Sequence, residues 1–370
     1  MKKKIVALMC GMLMAISLLG CGSEAGLVET AEVETVAESQ ETITVANEVV
    51  SEETTEESQD ANPNEELLPE YEENVTVRVG GLKGPTSIGL LGLKKKVADG
   101  ENLQGYEFTM ATAAEEITTM LVKGELDVAL IPANVASVLY NKTEGKISVI
   151  DINTLGVLYI VSGDTGISTL NDLKDRTVYL TGKGTTPDYV LQYILKENGL
   201  DGQVNFEYKS EATEVAAVLA EDEMAVGLLP QPFVTAAMAK NDKLNIVMSM
   251  TDEWDKLQGT DGSRLLTGVT VVNNEFLAEH EIAVSAFLND HAESADFVNS
   301  NIDEAAVLAV NEEIIAAEPI AKKAIPGCNI VCLTDEEMKS ALEGYLGVLF
   351  DMDAASVGGK LPDEKFYFVR

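Results

Sequence analysis

Four short segments concentrate the groups that hold small polar molecules. They are Gly81 to Ser87 (with Gly84, Pro85 and Thr86), Pro132 to Ser137 (with Ala133 and Asn134), Gly182 to Pro187 (with Gly184, Thr185 and Thr186), and Pro230-Gln231-Pro232. Each falls between a β-rich run and a helical one. At such points hydroxyls and unpaired helix-start N–H groups make hydrogen bonds to an anionic head group, each contributing about 1.5–3 kcal/mol. The same residue types also cap helices, so capping alone accounts for Thr86, Asn134 or Thr185 taken singly. Four such loops in a repeated order point instead to a cleft.

Other chemistry has little to work with. The two histidines, His280 and His291, stand on helical sequence with no C-x-x-C or H-E-x-x-H beside them. They read as ordinary surface residues, and neither a zinc site nor a Ser–His–Asp triad can be assembled. Cys328 and Cys332 are four apart, a spacing that leaves a small disulfide open but undecided. Neither G-x-x-x-x-G-K-[ST] nor G-x-G-x-x-G occurs in the glycine-rich loops. No nucleophile has a base beside it, so no enzyme, cofactor or metal is expected. Charge removes another class: 62 acidic residues against 26 basic give a net −36, which nucleic-acid phosphates repel.

The elements that position the loops are legible from Val75 onward. Runs at 75–80, 106–110, 126–131, 156–161, 177–180, 204–208, 224–229, 244–248 and 267–272 read as strands. Helical spacing occupies 85–97, 115–122, 134–140, 187–198, 212–220 and 233–240, and 275–349 reads as mainly helical. The order strand–helix–strand–helix–strand–helix occurs near 75–141 and again near 176–240, so two similar lobes are expected. Gly156–Val161 and Thr267–Val272 would be the crossover strands between them. That gives lobe 1 about 75–157 and 272–370, with lobe 2 about 158–271.

The first twenty residues read as an export signal. Lys2, Lys3 and Lys4 precede an apolar run of about 15 residues, too short for a typical spanning helix. The run ends in Leu18-Leu19-Gly20-Cys21, which resembles the lipobox of bacterial lipoproteins. That resemblance implies cleavage before Cys21 and acylation of its thiol; a plain secretory signal and an uncleaved anchor are the alternatives. From Gly22 to Asn74 there are 17 acidic residues and no lysine or arginine, which reads as a solvated tether over 21–74.

Taken together, the globular part resembles the extracytoplasmic solute-binding proteins of ABC importers, within the nitrate, sulfonate, taurine and thiamine-precursor group. The carriers are Leu82 to Leu91, Gly124-Glu-Leu-Asp-Val-Ala-Leu-Ile-Pro-Ala-Asn134, Leu170 to Val178, Gly227 to Val234, and Val357 to Tyr367. The resemblance implies an α/β, two-lobed type II periplasmic-binding-protein fold with two interlobe crossovers and a helical C-terminal segment. It implies a membrane-anchored monomer on the extracytoplasmic face that delivers a small-molecule ligand to an ABC permease and its ATPase. A sensing or surface-interaction lipoprotein of the same fold is the alternative. By position the ligand residues would be Pro85, Thr86, Ser87, Ala133, Asn134, Gly184, Thr185, Thr186, Gln231 and Pro232. Trp254 is added as the aromatic best placed to face the cleft, beside Tyr159, Tyr189 and Phe233. No arginine stands in these loops, and Arg264 is the one arginine placed to reach an anion.

Overall fold

The computed structural model describes residues 71–258 and 262–370. The signal segment, Cys21 and all but the end of the acidic segment lie outside these residues. The chain opens with β1 (Thr76–Leu82), α1 (Leu91–Asp99), β2 (Gly105–Ala111), α2 (Ala114–Val122), β3 (Val128–Pro132) and α3 (Ala133–Thr143). Then β4 (Ile147–Leu155) and β5 (Leu158–Ser162) carry it into a second set: β6 (Thr177–Thr181), α4 (Thr186–Glu197), β7 (Asn205–Lys209), α5 (Ala212–Glu221), β8 (Val226–Pro230) and α6 (Phe233–Lys240). After β9 (Asn245–Ser249) and α7 (Met250–Gln258) the chain returns through β10 (Leu266–Asn273). It ends with α8 (Asn274–Glu279), α9 (Glu281–Ser300), α10 (Ile302–Asn311), α11 (Glu318–Ala324), β11 (Ile330–Leu333) and α12 (Asp335–Met352).

Local sequence explains most of these elements. In α4, Val190, Leu191, Ile194 and Leu195 are buried at helical spacing. Helix α1 stops at Gly100, whose φ of 74° suits a residue without Cβ and lets its N–H reach the last carbonyls. Residues Val128 to Ile131 of β3 are buried without alternation, because that strand is covered on both faces.

The strands form two sheets. The first has the order β11-β4-β10-β3-β1-β2 and the second β7-β6-β8-β5-β9. In the first, β1 pairs parallel with β2 and β3, and β10 runs antiparallel to β3 and β4. In the second, β6 pairs parallel with β7 and β8, and β5 runs antiparallel to β8 and β9. The two sheets thus repeat one plan with the antiparallel strand exchanged. Strand β10, late in the chain, completes the first sheet; β5, which precedes the second βαβ unit, completes the second. This exchange puts the carboxyl ends of β1 and β3 opposite those of β6 and β8 across one cleft.

One expectation needs correction here. The C-terminal segment is mainly helical as expected, and Ile330–Leu333 adds the short strand β11 on the edge of the first sheet. His291 is not a surface residue: it is fully buried, its Nδ1 lies 3.0 Å from Asp151 Oδ2, and Thr270 Oγ1 donates to Asp151 Oδ1 at 2.7 Å. Asn153 Nδ2 donates to Thr270 Oγ1 at 3.2 Å, so this polar cluster pins α9, β4 and β10 together beneath the first sheet. Cys328 and Cys332 are both free thiols.

Candidate functional site

Where the loops after β1, β3, β6 and β8 face one another they enclose a cavity of about 560 Å³. The loop after β1 is held by Ser87, whose Oγ accepts from the Leu82 N–H at 2.9 Å, and it presents Lys83, Gly84 and Pro85 to the cavity. From the loop after β3 come Pro132, Asn134 and Val135. The second sheet contributes Thr185, Thr186 and Pro187 from one loop, and Pro230, Gln231, Pro232 and Phe233 from the other. Gly156, Val157 and Leu158 at one crossover and Leu265, Leu266 and Thr267 at the other line the remainder, with Ile314.

Of the residues named from sequence, the structure therefore brings together Pro85, Asn134, Thr185, Thr186, Gln231 and Pro232. Thr86, Ser87, Ala133 and Gly184 lie in the same loops without lining the cavity. Thr86 is buried, its hydroxyl has no partner, and its methyl face packs on Gly268, where an added Cβ would come within 2.5 Å of it.

Trp254 does not face the cleft. It is fully buried, with its ring 4.9 Å from Tyr193 and 5.8 Å from Tyr345, and its Nε1 donates to Ser263 Oγ at 3.2 Å. On α7 only Met250 and Trp254 are buried; the acidic neighbours that suggested exposure lie on the other face. Arg264 also stays off the cavity, its Nε 3.7 Å from Asp255 Oδ1. Among the aromatics, Phe233 lines the cavity. Tyr159 instead donates its hydroxyl to Gly327 O at 2.8 Å, and Tyr189 to Asp353 Oδ2 at 2.8 Å. Burial first, then Asp353, pushes the Tyr189 phenol up to about 12. The same hydrogen bond holds the Asp353 carboxyl below its ordinary value.

Sequence reasoning missed Leu265, Leu266 and Ile314, whose place depends on contacts distant in the chain. It also missed Asp188, which is buried below the loop after β6. Its Oδ2 accepts from the Gly184 N–H at 2.8 Å, while Oδ1 accepts from Gln192 Nε2 at 2.6 Å and the Tyr208 hydroxyl at 2.7 Å. Gln231 Oε1 likewise accepts from the Thr235 N–H at 3.3 Å and its hydroxyl at 2.9 Å. Among the described residues a charged side chain reaches the cavity only at Lys83, which is salt-bridged to Glu313; that contact holds the Glu313 carboxyl below its ordinary value.

This geometry and the comparisons with known proteins agree. Residues 100–252 match the family described as ABC transporter, phosphonate, periplasmic substrate-binding protein. Among solved structures, an ABC transporter from Parabacteroides distasonis superposes with a TM-score of 0.66 at 24% identity, covering 79% of this chain and 98% of its own. The periplasmic aliphatic sulphonate binding protein SsuA from Escherichia coli gives 0.60 at 14% identity, covering 78% and 92%. A sulfonate-binding SsuA from Methylobacillus flagellatus gives 0.58 at 16% identity, covering 80% and 92%. No curated protein sequence matches the chain. The chain therefore has the two-lobed type II periplasmic-binding fold, and over residues 100–252 its sequence is similar to ABC-transporter substrate-binding proteins. The matched family and these neighbours are transport proteins that bind substrates, not enzymes.

Proposed function

We propose that the chain is an extracytoplasmic receptor that binds one small solute between its lobes and delivers it to an ABC permease and its ATPase. The observation that carries this reading is the single cavity walled by strand-to-helix loops of both sheets. A ligand touching both walls stabilises the closed arrangement relative to an open one, and the closed form is what a permease would read. Pro85, Asn134, Thr185, Thr186, Gln231 and Pro232 would touch the solute; Thr86, Ser87, Ala133 and Gly184 would shape their loops. Residues 1–20 would direct export, acyl chains on Cys21 would anchor a monomer to the membrane, and the acidic segment to residue 74 would give it reach.

Thermal denaturation of the full chain against sulfonates, phosphonates, nitrate, pyrimidines, amino acids and short peptides tests the reading. A ligand at 100 times its Kd adds about 2.7 kcal/mol to stability, a readable rise in Tm. No shift with any class would end it. Labelled fatty acid should enter the wild type and not Cys21→Ala; label kept in the variant would end the lipid-anchor part alone.

A further inference from the structure

The anion expected from relatives needs cations or backbone donors, and this cavity has one paired cation and a proline at each helix start. Its one charged side chain among the described residues, Lys83, is already paired with Glu313. Proline removes one donor from each helix start. Pro85 and Pro187 occupy the first turn of the 3-10 helix Pro85–Leu90 and of α4, while Pro132 and Pro232 are the N-cap residues of α3 and α6. Each proline replaces an N–H that an anion would otherwise use. Two further N–H groups are taken: Gly184 donates to Asp188, and Thr235 to Gln231. Asp188 also places a carboxylate behind the loop where an anionic head group would sit.

The rest of the lining is apolar. Val135, Val157, Leu158, Phe233, Leu265 and Leu266 make a greasy wall of the kind that gains by removing apolar ligand surface from water, at about 25 cal/mol per Å². Among the lining polar groups, Asn134 makes only one long hydrogen bond among the described residues, a 3.5 Å contact from Nδ2 to Ser356 O. Its Oδ1 is left to accept from a ligand.

Resting on the receptor reading above, we infer that the solute is an uncharged, mainly apolar molecule carrying a hydrogen-bond donor, not a phosphonate or sulfonate. Its body fills the space between the prolines and the aliphatic wall, and its donor meets Asn134.

Three probes with one ring system separate these classes: 2-naphthamide, 2-naphthalenesulfonate and 2-naphthylphosphonate, titrated calorimetrically into the full-length protein. The amide is expected to bind at least about tenfold tighter than either anion, and its Kd to hold when salt is raised about tenfold. Gly84→Trp supplies the site control. Gly84 lines the cavity with an extended backbone (φ −168°), and an added Cβ there meets nothing within 4 Å, so a side chain can be introduced at this wall. The substitution should weaken the amide by about tenfold or more; Gly84→Phe is the smaller filler should the indole lower stability. A sulfonate or phosphonate that binds tighter than the amide, and loses about tenfold in Lys83→Met, overturns the ligand class while the receptor reading stands. Binding of none of the three, or binding indifferent to both Gly84 variants, overturns the inferred ligand class, whereas the receptor reading falls only if the broad thermal panel also shifts nothing.

Discussion

The two halves of the cleft share a topology and differ in what their polar groups are doing. On the second-sheet side they are spent on the loops themselves. Asp188 ties Gly184, Gln192 and Tyr208 together, Gln231 caps α6, and the Thr185 hydroxyl donates to Gly182 O at 2.6 Å. On the first-sheet side cavity-lining Asn134 has one long contact, from Nδ2, and, among the described residues, no hydrogen bond at its Oδ1. One wall is therefore pre-built shape, and the other keeps polar capacity in hand for a ligand. The sheets behind the walls differ in the same sense. The first is pinned by the buried Asp151–His291–Thr270 cluster, whereas paired strands β5 and β8 of the second are buried and almost wholly apolar.

Substitutions should separate these roles. His291→Leu keeps bulk but leaves buried Asp151 short of a partner, and should lower unfolding stability by about 3–5 kcal/mol in urea titrations. A loss under about 1 kcal/mol would mean the cluster does not pin the first sheet. Asp188→Leu strands the Gly184, Gln192 and Tyr208 donors and should cost about 2–3 kcal/mol, chiefly in stability. Asn134→Ala should do the reverse, leaving stability within about 0.5 kcal/mol while weakening the bound solute about tenfold. If Asn134→Ala destabilises as much as Asp188→Leu, the contrast between a built wall and a reading wall is lost.

The cleft loops were legible because their signals are local. A strand, a proline or hydroxyl residue and a helix follow one another within ten residues, and six of the eleven named residues line the cavity. What escaped depends on distant partners. Ile330–Leu333 is too short to declare itself as a strand and gains its state by pairing with β4, some 180 residues earlier. Trp254 was read from its acidic neighbours, yet its burial is set by Tyr193 and Tyr345 from two other helices. His291 carried a usable signal: it continues the buried stripe Val284, Phe287, Leu288, His291, Ser294, Ala295, Val298 at helical spacing. Asp188 had none, since an aspartate in the first turn of a helix is equally at home in water.

The smallest expected effect concerns one place where the two sides touch, the hydrogen bond from Tyr189 of α4 to Asp353 after α12. Asp353 sits below its ordinary 3.8, so its contribution is complete above that value and is lost as pH falls through the folded one. Tyr189 sits above its ordinary 10.0, so its contribution is complete below that value and is lost as pH rises through about 12. Tyr189→Phe removes the hydroxyl, and with it the tyrosine dependence and the part of the Asp353 dependence that the Ala355 N–H does not supply. The stability difference between wild type and variant should be level from about pH 5 to 9 and shrink at either end, a comparison of urea midpoints across pH. The difference is what matters, because other tyrosines and carboxylates titrate in both proteins and cancel. A difference that stays level into acid and alkali would mean that this contact does not form in solution, leaving the two sides joined by Tyr159 at Gly327 and by Trp254 at Tyr345.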